Sequence, residues 1–426
     1  MSRTYPSPLL EKQSKQDDGM SLDIKSWLRE NKGDSTLLGI CPVSEEIILA
    51  SLTEALERDF IPMFVATPRQ VDADRGYTGW SQEGLMEFIQ STAKELGYTG
   101  TYLVARDHGG PYQSKRDRGR PEVSLEEAMG YAKEMFARDL RSGFDVLHVD
   151  ATEDPSREGP LELDEVARRT AELIAYIEDV VEGEGLPRVY YEVGTEEISG
   201  GITEPDSFER FIRLLKSELI GRGHGQAIEQ LLFIVGQVGT AMRIDMTNHI
   251  DLQRTKTLVD IASRHDLFLK VHYPDWLETP MLEQFPKLGI GAANAGPEFA
   301  AAIVEALSEL EKREVQALRR VGENIRPSNI METIEDAAIK GAPWRRFAPK
   351  GLENQELEVF AQGHRREIAL CVGRYIMKNP EVIEARQKLY ENLKRHTSLD
   401  DPQQFVINAV QDTIRRYIRA FNVSYC

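Results

Sequence analysis

Short apolar, β-branched runs alternate along the chain with longer stretches whose apolar residues recur at spacings of three and four. That is the pattern of strand–helix units around a parallel sheet. Eight runs stand in order: LLGICPV (37–43), IPMFVA (61–66), TYLVARD (101–107), VLHVDA (146–151), RVYYEVGTE (188–196), LLFIVGQVG (231–239), LFLKVHY (267–273) and IGAANAG (290–296). Between them, SLEEAMGYAKEMFARDL and LDEVARRTAELIAYIEDVV read as amphipathic helices. The segment 297–315, PEFAAAIVEALSELEKREV, opens on a proline and reads as an eighth outer helix. Eight such units within about 280 residues suit an α/β fold of the (β/α)8 TIM-barrel type. A doubly wound open sheet is the competing topology. It finds no GxGxxG after a strand, and no GxxxxGK(S/T) supports a P-loop enzyme.

Beyond residue 315 the pattern becomes wholly helical, so the barrel at 37–315 is followed by a helical cap or oligomerisation region at 316–426. Within it, KGAPWRRFAPKG (340–351) is a loop rich in Gly, Pro and Arg. Residues 1–36 are polar and read as an N-terminal arm. The 426 residues carry 52 Lys and Arg against 70 Asp and Glu, a net charge of −18, which disfavours a general nucleic-acid binder. No apolar run approaches the ~18 residues of a membrane span. The N-terminus lacks a signal-like apolar stretch, and Cys41, Cys371 and Cys426 make neither a disulfide framework nor a CxxC zinc site. A cytoplasmic protein, without nucleic-acid or membrane partners and forming a homo-oligomer, is expected.

Catalytic groups of a barrel project from the C-terminal ends of its strands, so polar residues there outrank others. The third run ends in Arg106, Asp107 and His108, the fourth in Asp150 and Thr152, the fifth in Glu196, and the seventh in His272 and Asp275. Two histidines and a carboxylate at one mouth suit a divalent cation with an open coordination position, with His108, Glu196 and His272 as ligands. Asp107 is placed for general acid–base work. The alternative for the Asp–His pair is an Asx turn with a capping histidine. His148 alternates with Asp150 inside the fourth run; an inward ligand and a satisfied core histidine remain equal readings. Cys41 reads as a small buried group.

The motifs LGICPV, QVDADRGYTGW, DHGGP, GFDVLHVDAT, VGTEEISGG, HYPDW and AGPEFAAAIVEAL stand in the order found in the GatZ/KbaZ family, and residues 37 to about 315 resemble it well. That family is described as subunits of class II tagatose-1,6-bisphosphate aldolase. The resemblance implies a zinc-dependent barrel in which Asp107 is catalytic and His108 binds metal. It also implies Glu196 in the place of a histidine ligand, His272 as the last ligand, and Asp150 with Thr152 ordering the substrate loop. The set expected is then Asp107, Asp150 and Glu196 as catalytic groups, and Gln70, Arg106, Thr152, Gln237, Asp275 and Asn294 at the substrate. Asn294 and Glu298 depart from the family's phosphate-binding pattern, because a carboxylate in the first helical turn competes with an anion. Arg69, Arg75 and Arg106 are the alternative phosphate contacts.

Two reactions of a ketose fit such a site: aldol cleavage, and epimerisation at C4 of a tagatose- or fructose-type ketohexose. The C4 proton is not adjacent to the C2 carbonyl, so simple deprotonation fails, and no nicotinamide motif supports oxidation. Breaking and remaking C3–C4 needs only a divalent metal and a base. A metal-dependent C4-epimerase acting on a ketose or its phosphate is therefore expected. The alternative is a subunit that stabilises or activates a separate aldolase chain.

Overall fold

The computed structural model describes residues 23–195, 202–322 and 325–423. Eight parallel strands close into a barrel in sequence order. They are β1 (Leu37–Ile40), β2 (Met63–Ala66), β3 (Leu103–Gly109), β4 (Val146–Val149), β5 (Tyr190–Gly194), β6 (Leu231–Val235), β7 (Phe268–His272) and β8 (Ala292–Ala295). Each lies within one of the eight apolar runs or extends it slightly. β1 closes on β8 through pairs from Leu37–Ala292 to Ile40–Ala295. Strands covered on both faces, by the barrel interior and by the helix ring, have no solvent face and so read as unbroken apolar runs. Helices are started by serine caps at Ser44, Ser81 and Ser124 and stopped by left-handed glycines at Gly97, Gly143 and Gly185.

The polar arm expected at 1–36 is corrected for its described part. Ile24–Glu30 is a helix with Ile24, Trp27 and Leu28 buried. Lys25 Nζ donates to the carbonyls of Glu229 and Leu231 at 3.0 and 2.8 Å, which ties this helix to the start of β6. At the other boundary, the helix Pro297–Val321 runs unbroken past residue 315.

The C-terminal helices pack along the barrel. Pro402–Phe421 lies against both Glu45–Arg58 and Pro297–Val321, wedged into the ring between its first and last members. Gln411 and Arg415 reach the wholly buried Glu54, and Thr36 N donates to the Phe421 carbonyl at 3.0 Å. The turns Trp344–Phe347 and Gly373–Tyr375, with Ala348, Pro349, Lys350, Phe360 and His364, bring this region to the barrel mouth. Among the described residues, no helix is long and apolar enough to cross a membrane.

Candidate metal centre and active site

β3 delivers the first two groups. Alternation along the strand sends Arg106 outward, where its Nε and Nη2 donate to Asp139 at 2.8 and 2.5 Å and its Nη1 to the Ala66 and Val71 carbonyls. The substrate contact expected of Arg106 is thus replaced by an internal clamp. Asp107 faces inward. In a regular strand the next side chain turns away again, but the β3–β4 register shifts between Arg106 and Gly109 and His108 takes φ 48°. This kink lets Asp107 and His108 line the same cavity. Gly110 makes the close approach to β4 possible: a Cβ there would sit 1.7 Å from the Asp150 carbonyl oxygen.

β4 adds His148 and β7 adds His272. Asp107 Oδ1 stands 3.3 Å from His148 Nδ1, 3.5 Å from His272 Nε2 and 3.9 Å from His108 Nε2. One donor atom from each of Asp107, His108, His148 and His272 lies within 4.8 Å of all the others, and all four residues are buried. Bonds of about 2.0–2.3 Å set the donors of a tetrahedral cation roughly 3.3–3.8 Å apart. Donor chemistry and spacing fit one divalent cation. Of the expected ligands, His108 and His272 both belong to this group. Glu196 lies outside the described residues, and His148 stands with His108 and His272.

A ring of carboxylates orients these imidazoles. Asp150 Oδ2 accepts from His108 Nδ1 at 2.7 Å and from Gln113 Nε2 at 3.1 Å, while Oδ1 takes the Thr152 hydroxyl at 2.5 Å. Asp150, expected as a catalytic group, and Thr152, expected at the substrate, are occupied in holding His108 with its Nε2 toward the cavity. Glu192 Oε1 lies 3.2 Å from His272 Nε2 and 3.4 Å from His148 Nδ1, and its Oε2 pairs with the fully buried Lys270. Asp150, on the His108 nitrogen that faces away from Asp107, is an outer partner of the kind that fixes ring orientation and raises ligand basicity. Glu192 instead meets His272 and His148 at the same nitrogens that face Asp107.

The electrostatics follow from this packing. Burial opposes the charged form of Asp107, but His108, His272 and a hydrogen bond from His148 outweigh it and hold the carboxyl well below the usual range. Burial likewise opposes protonation of His108, yet Asp107, Asp150 and Glu192 carry it up to about 9. For His272 burial dominates, and its pKa falls. Asp150 and Glu192 sink to about 2 against the cost of burial, held by His108 in the first case and chiefly by Lys270 in the second. Cys41 lines the cavity, but burial pushes its thiol up to about 12, so it stays protonated.

Two cavities, one of about 680 Å³ and one of about 90 Å³, share His108, His272, Tyr273, Arg346 and Phe347 as lining. Gln237 lines the larger, Gln70 and Asn294 the smaller. Gln70 is partly occupied, accepting from Thr67 N at 2.8 Å. Asn294, 5% exposed, has no partner for either side-chain polar atom, and a Cβ on Gly39 would strike its Oδ1 at 2.1 Å. Asp275 is corrected: its Oδ1 caps the helix Pro297–Val321 by accepting from Gly296 N and Glu298 N at 3.0 and 2.9 Å.

A closed parallel barrel with imidazoles and a carboxylate converging at its C-terminal mouth defines a (β/α)8 protein whose donor set fits a divalent cation. The chain belongs to the D-tagatose-1,6-bisphosphate aldolase subunit GatZ/KbaZ-like family, whose model matches residues 24–406. A D-tagatose 6-phosphate 4-epimerase of Agrobacterium fabrum is 27% identical over 289 residues, covering 65% of this chain and 66%, just under two thirds, of that protein. A D-tagatose-1,6-bisphosphate aldolase subunit GatZ of Escherichia coli is 24% identical over 340 residues, covering 76% of this chain and 78% of that protein. A probable tagatose 6 phosphate kinase from Sinorhizobium meliloti shares the fold, with a TM-score of 0.74 at 20% identity over 90% of this chain and 100% of that one.

Proposed function

We propose that this chain is itself a metal-dependent enzyme that epimerises a tagatose- or fructose-type ketohexose at C4 by breaking and remaking C3–C4. The convergence of His108, His148 and His272 with Asp107 beside them, all within one chain, carries this reading. The name of the relative that is a 4-epimerase agrees with it. His108, His148 and His272 would hold the cation. Bound there, a divalent cation supplies Lewis-acid polarisation of the C2 ketone and positive charge beside the electrons that cleavage releases.

The chain's own groups do the rest. Asp107, kept ionised by the histidines around it, takes the proton of the C4 hydroxyl. The C3–C4 electron pair passes to C3, conjugated with the C2 carbonyl, and C4 becomes an aldehyde. The aldehyde turns, the pair returns to its other face, and Asp107 gives the proton back to O4. Asp150 fixes His108, and Glu192, fixed by Lys270, steadies His148 and His272. The free amide of Asn294 offers a donor and an acceptor to a sugar hydroxyl. Tyr273 and Phe347 wall the cavity and keep the aldehyde from leaving.

A second reading, a subunit supporting a separate aldolase chain, is favoured by the name of the GatZ relative. Purified, metal-loaded protein assayed alone on ketohexoses and their phosphates separates the two. The epimerase reading expects conversion without a partner, and a loss of about 10²–10⁴-fold in Asp107→Asn with metal content kept. No conversion alone, together with stimulation of a partner aldolase, would establish the subunit.

A further inference from the structure

The helix N-terminus is the usual place for a barrel to hold an anion, since its N–H groups have no partners of their own. Here that place is taken. Asp275 accepts the N–H groups of Gly296 and Glu298, and the Glu298 carboxylate is tied to Arg416, to Tyr417 Oη at 2.5 Å and to Trp276 N at 2.9 Å. An anionic substrate must be held elsewhere.

The smaller cavity supplies the cations. Arg69 follows β2, Arg118 follows β3, and Arg346 comes from the turn Trp344–Phe347 of the C-terminal region; all three line it beside Asp107, His108 and Asn294. Among the described residues, none of the three guanidiniums has an ion-pair or side-chain hydrogen-bond partner, whereas Arg106, Arg138, Arg365 and Arg416 are all paired with carboxylates. Arg118 feels the mismatch: burial, then Arg69 and Arg346, depress its pKa. Arg69 is otherwise only stacked over the Tyr375 ring at 5.3 Å. Three unpaired cations facing one space repel each other until an anion enters it. The unpartnered, nearly buried Asn294 side chain in the same cavity independently marks a place for a ligand.

We propose that Arg69, Arg118 and Arg346 grip a phosphate monoester on the substrate, and that the C-terminal region thereby completes the active site. The proposal rests on the ketohexose reading and adds to it the substrate's charged end. A phosphate dianion matches three cations better than a uronate's single charge, and guanidinium forks suit its oxygens.

The test starts with inorganic phosphate, titrated calorimetrically into the metal-loaded protein. Arg69→Gln, Arg118→Gln and Arg346→Gln should each weaken phosphate binding by about 10- to 100-fold. Arg320→Gln, at an exposed arginine outside both cavities, should leave it unchanged. Should the Arg118 variant fail to fold, the exposed Arg346 carries the same measurement. Wild-type kcat/KM should favour a ketohexose 6-phosphate over the neutral ketohexose and over the hexuronate, and the three variants should erase that preference. Phosphate affinity equal in wild type and variants overturns the grip, and a preference for the uronate overturns phosphate as its ligand. Arginine-dependent phosphate binding without any epimerisation leaves the grip standing and removes the epimerase reading instead.

Discussion

His148 decides what the residue scale adds. Its Nδ1, which accepts the His108 N–H at 3.2 Å and stands 3.3 Å from Asp107 and 3.4 Å from Glu192, joins a candidate donor set that strand ends alone do not reveal. Asp107, His108 and His272 were legible because each ends a strand in a polar group, the position where barrels place chemistry. His148, Glu192 and Lys270 lie inside apolar runs; the signal they gave was charge on the inward phase of a strand, which a core histidine or an ion pair also gives. Arg106 and Asp275 misled for the opposite reason: a polar residue near a strand end can point outward or cap a helix. The expected result is that His148→Ala loses stoichiometric metal by elemental analysis, while Asp150→Asn binds it about 10–100-fold more weakly. If Glu196→Gln strips the metal and His148→Ala keeps it, the set expected from strand ends is the right one. The pH sense follows from His108. Its pKa is raised to about 9, so in the metal-free protein its contribution to stability is full below its ordinary value and is lost as pH rises through about 9. A metal must displace that proton, so affinity should climb by up to about tenfold per pH unit toward pH 9.

At the scale of elements, the strands were readable because burial on both faces leaves only apolar runs. The helix Ile24–Glu30 was not, being short and set in a polar stretch where seven residues show less than two full turns of period. The cap on Pro297–Val321 makes a second, independent prediction. Burial, and then the neighbouring Glu298 carboxylate, push Asp275 up to about 7. A carboxyl raised in the folded state binds protons that the unfolded chain has released. Its contribution is therefore full at low pH and declines as pH rises from the ordinary carboxylate value to about 7, with a slope of up to ~1.4 kcal/mol per unit. Asp275→Asn keeps an oxygen for the Gly296 and Glu298 N–H groups but cannot titrate. Urea melts between pH 4 and 8 should show a flatter profile in the variant than in wild type; parallel profiles would show that Asp275 does not carry the proton.

Across the whole molecule, the barrel and the C-terminal region form one machine. The terminal helix fills the gap between the first and last outer helices, and the turns at Trp344–Phe347 and Gly373–Tyr375 bring Arg346, Phe347, Arg374 and Tyr375 to the mouth. Sequence pattern gave the helices of this region but not their placement, because an amphipathic face states that it is covered and not by what. The central claim is that one chain, with its cation, breaks and remakes C3–C4. Nuclear magnetic resonance of the metal-loaded protein with a ketohexose 6-phosphate in D2O tests it most directly. The account predicts that the C4 epimer forms without a partner and retains hydrogen at C4, since that hydrogen stays on the aldehyde carbon throughout. Deuterium at C4, or no epimer at all, would contradict it.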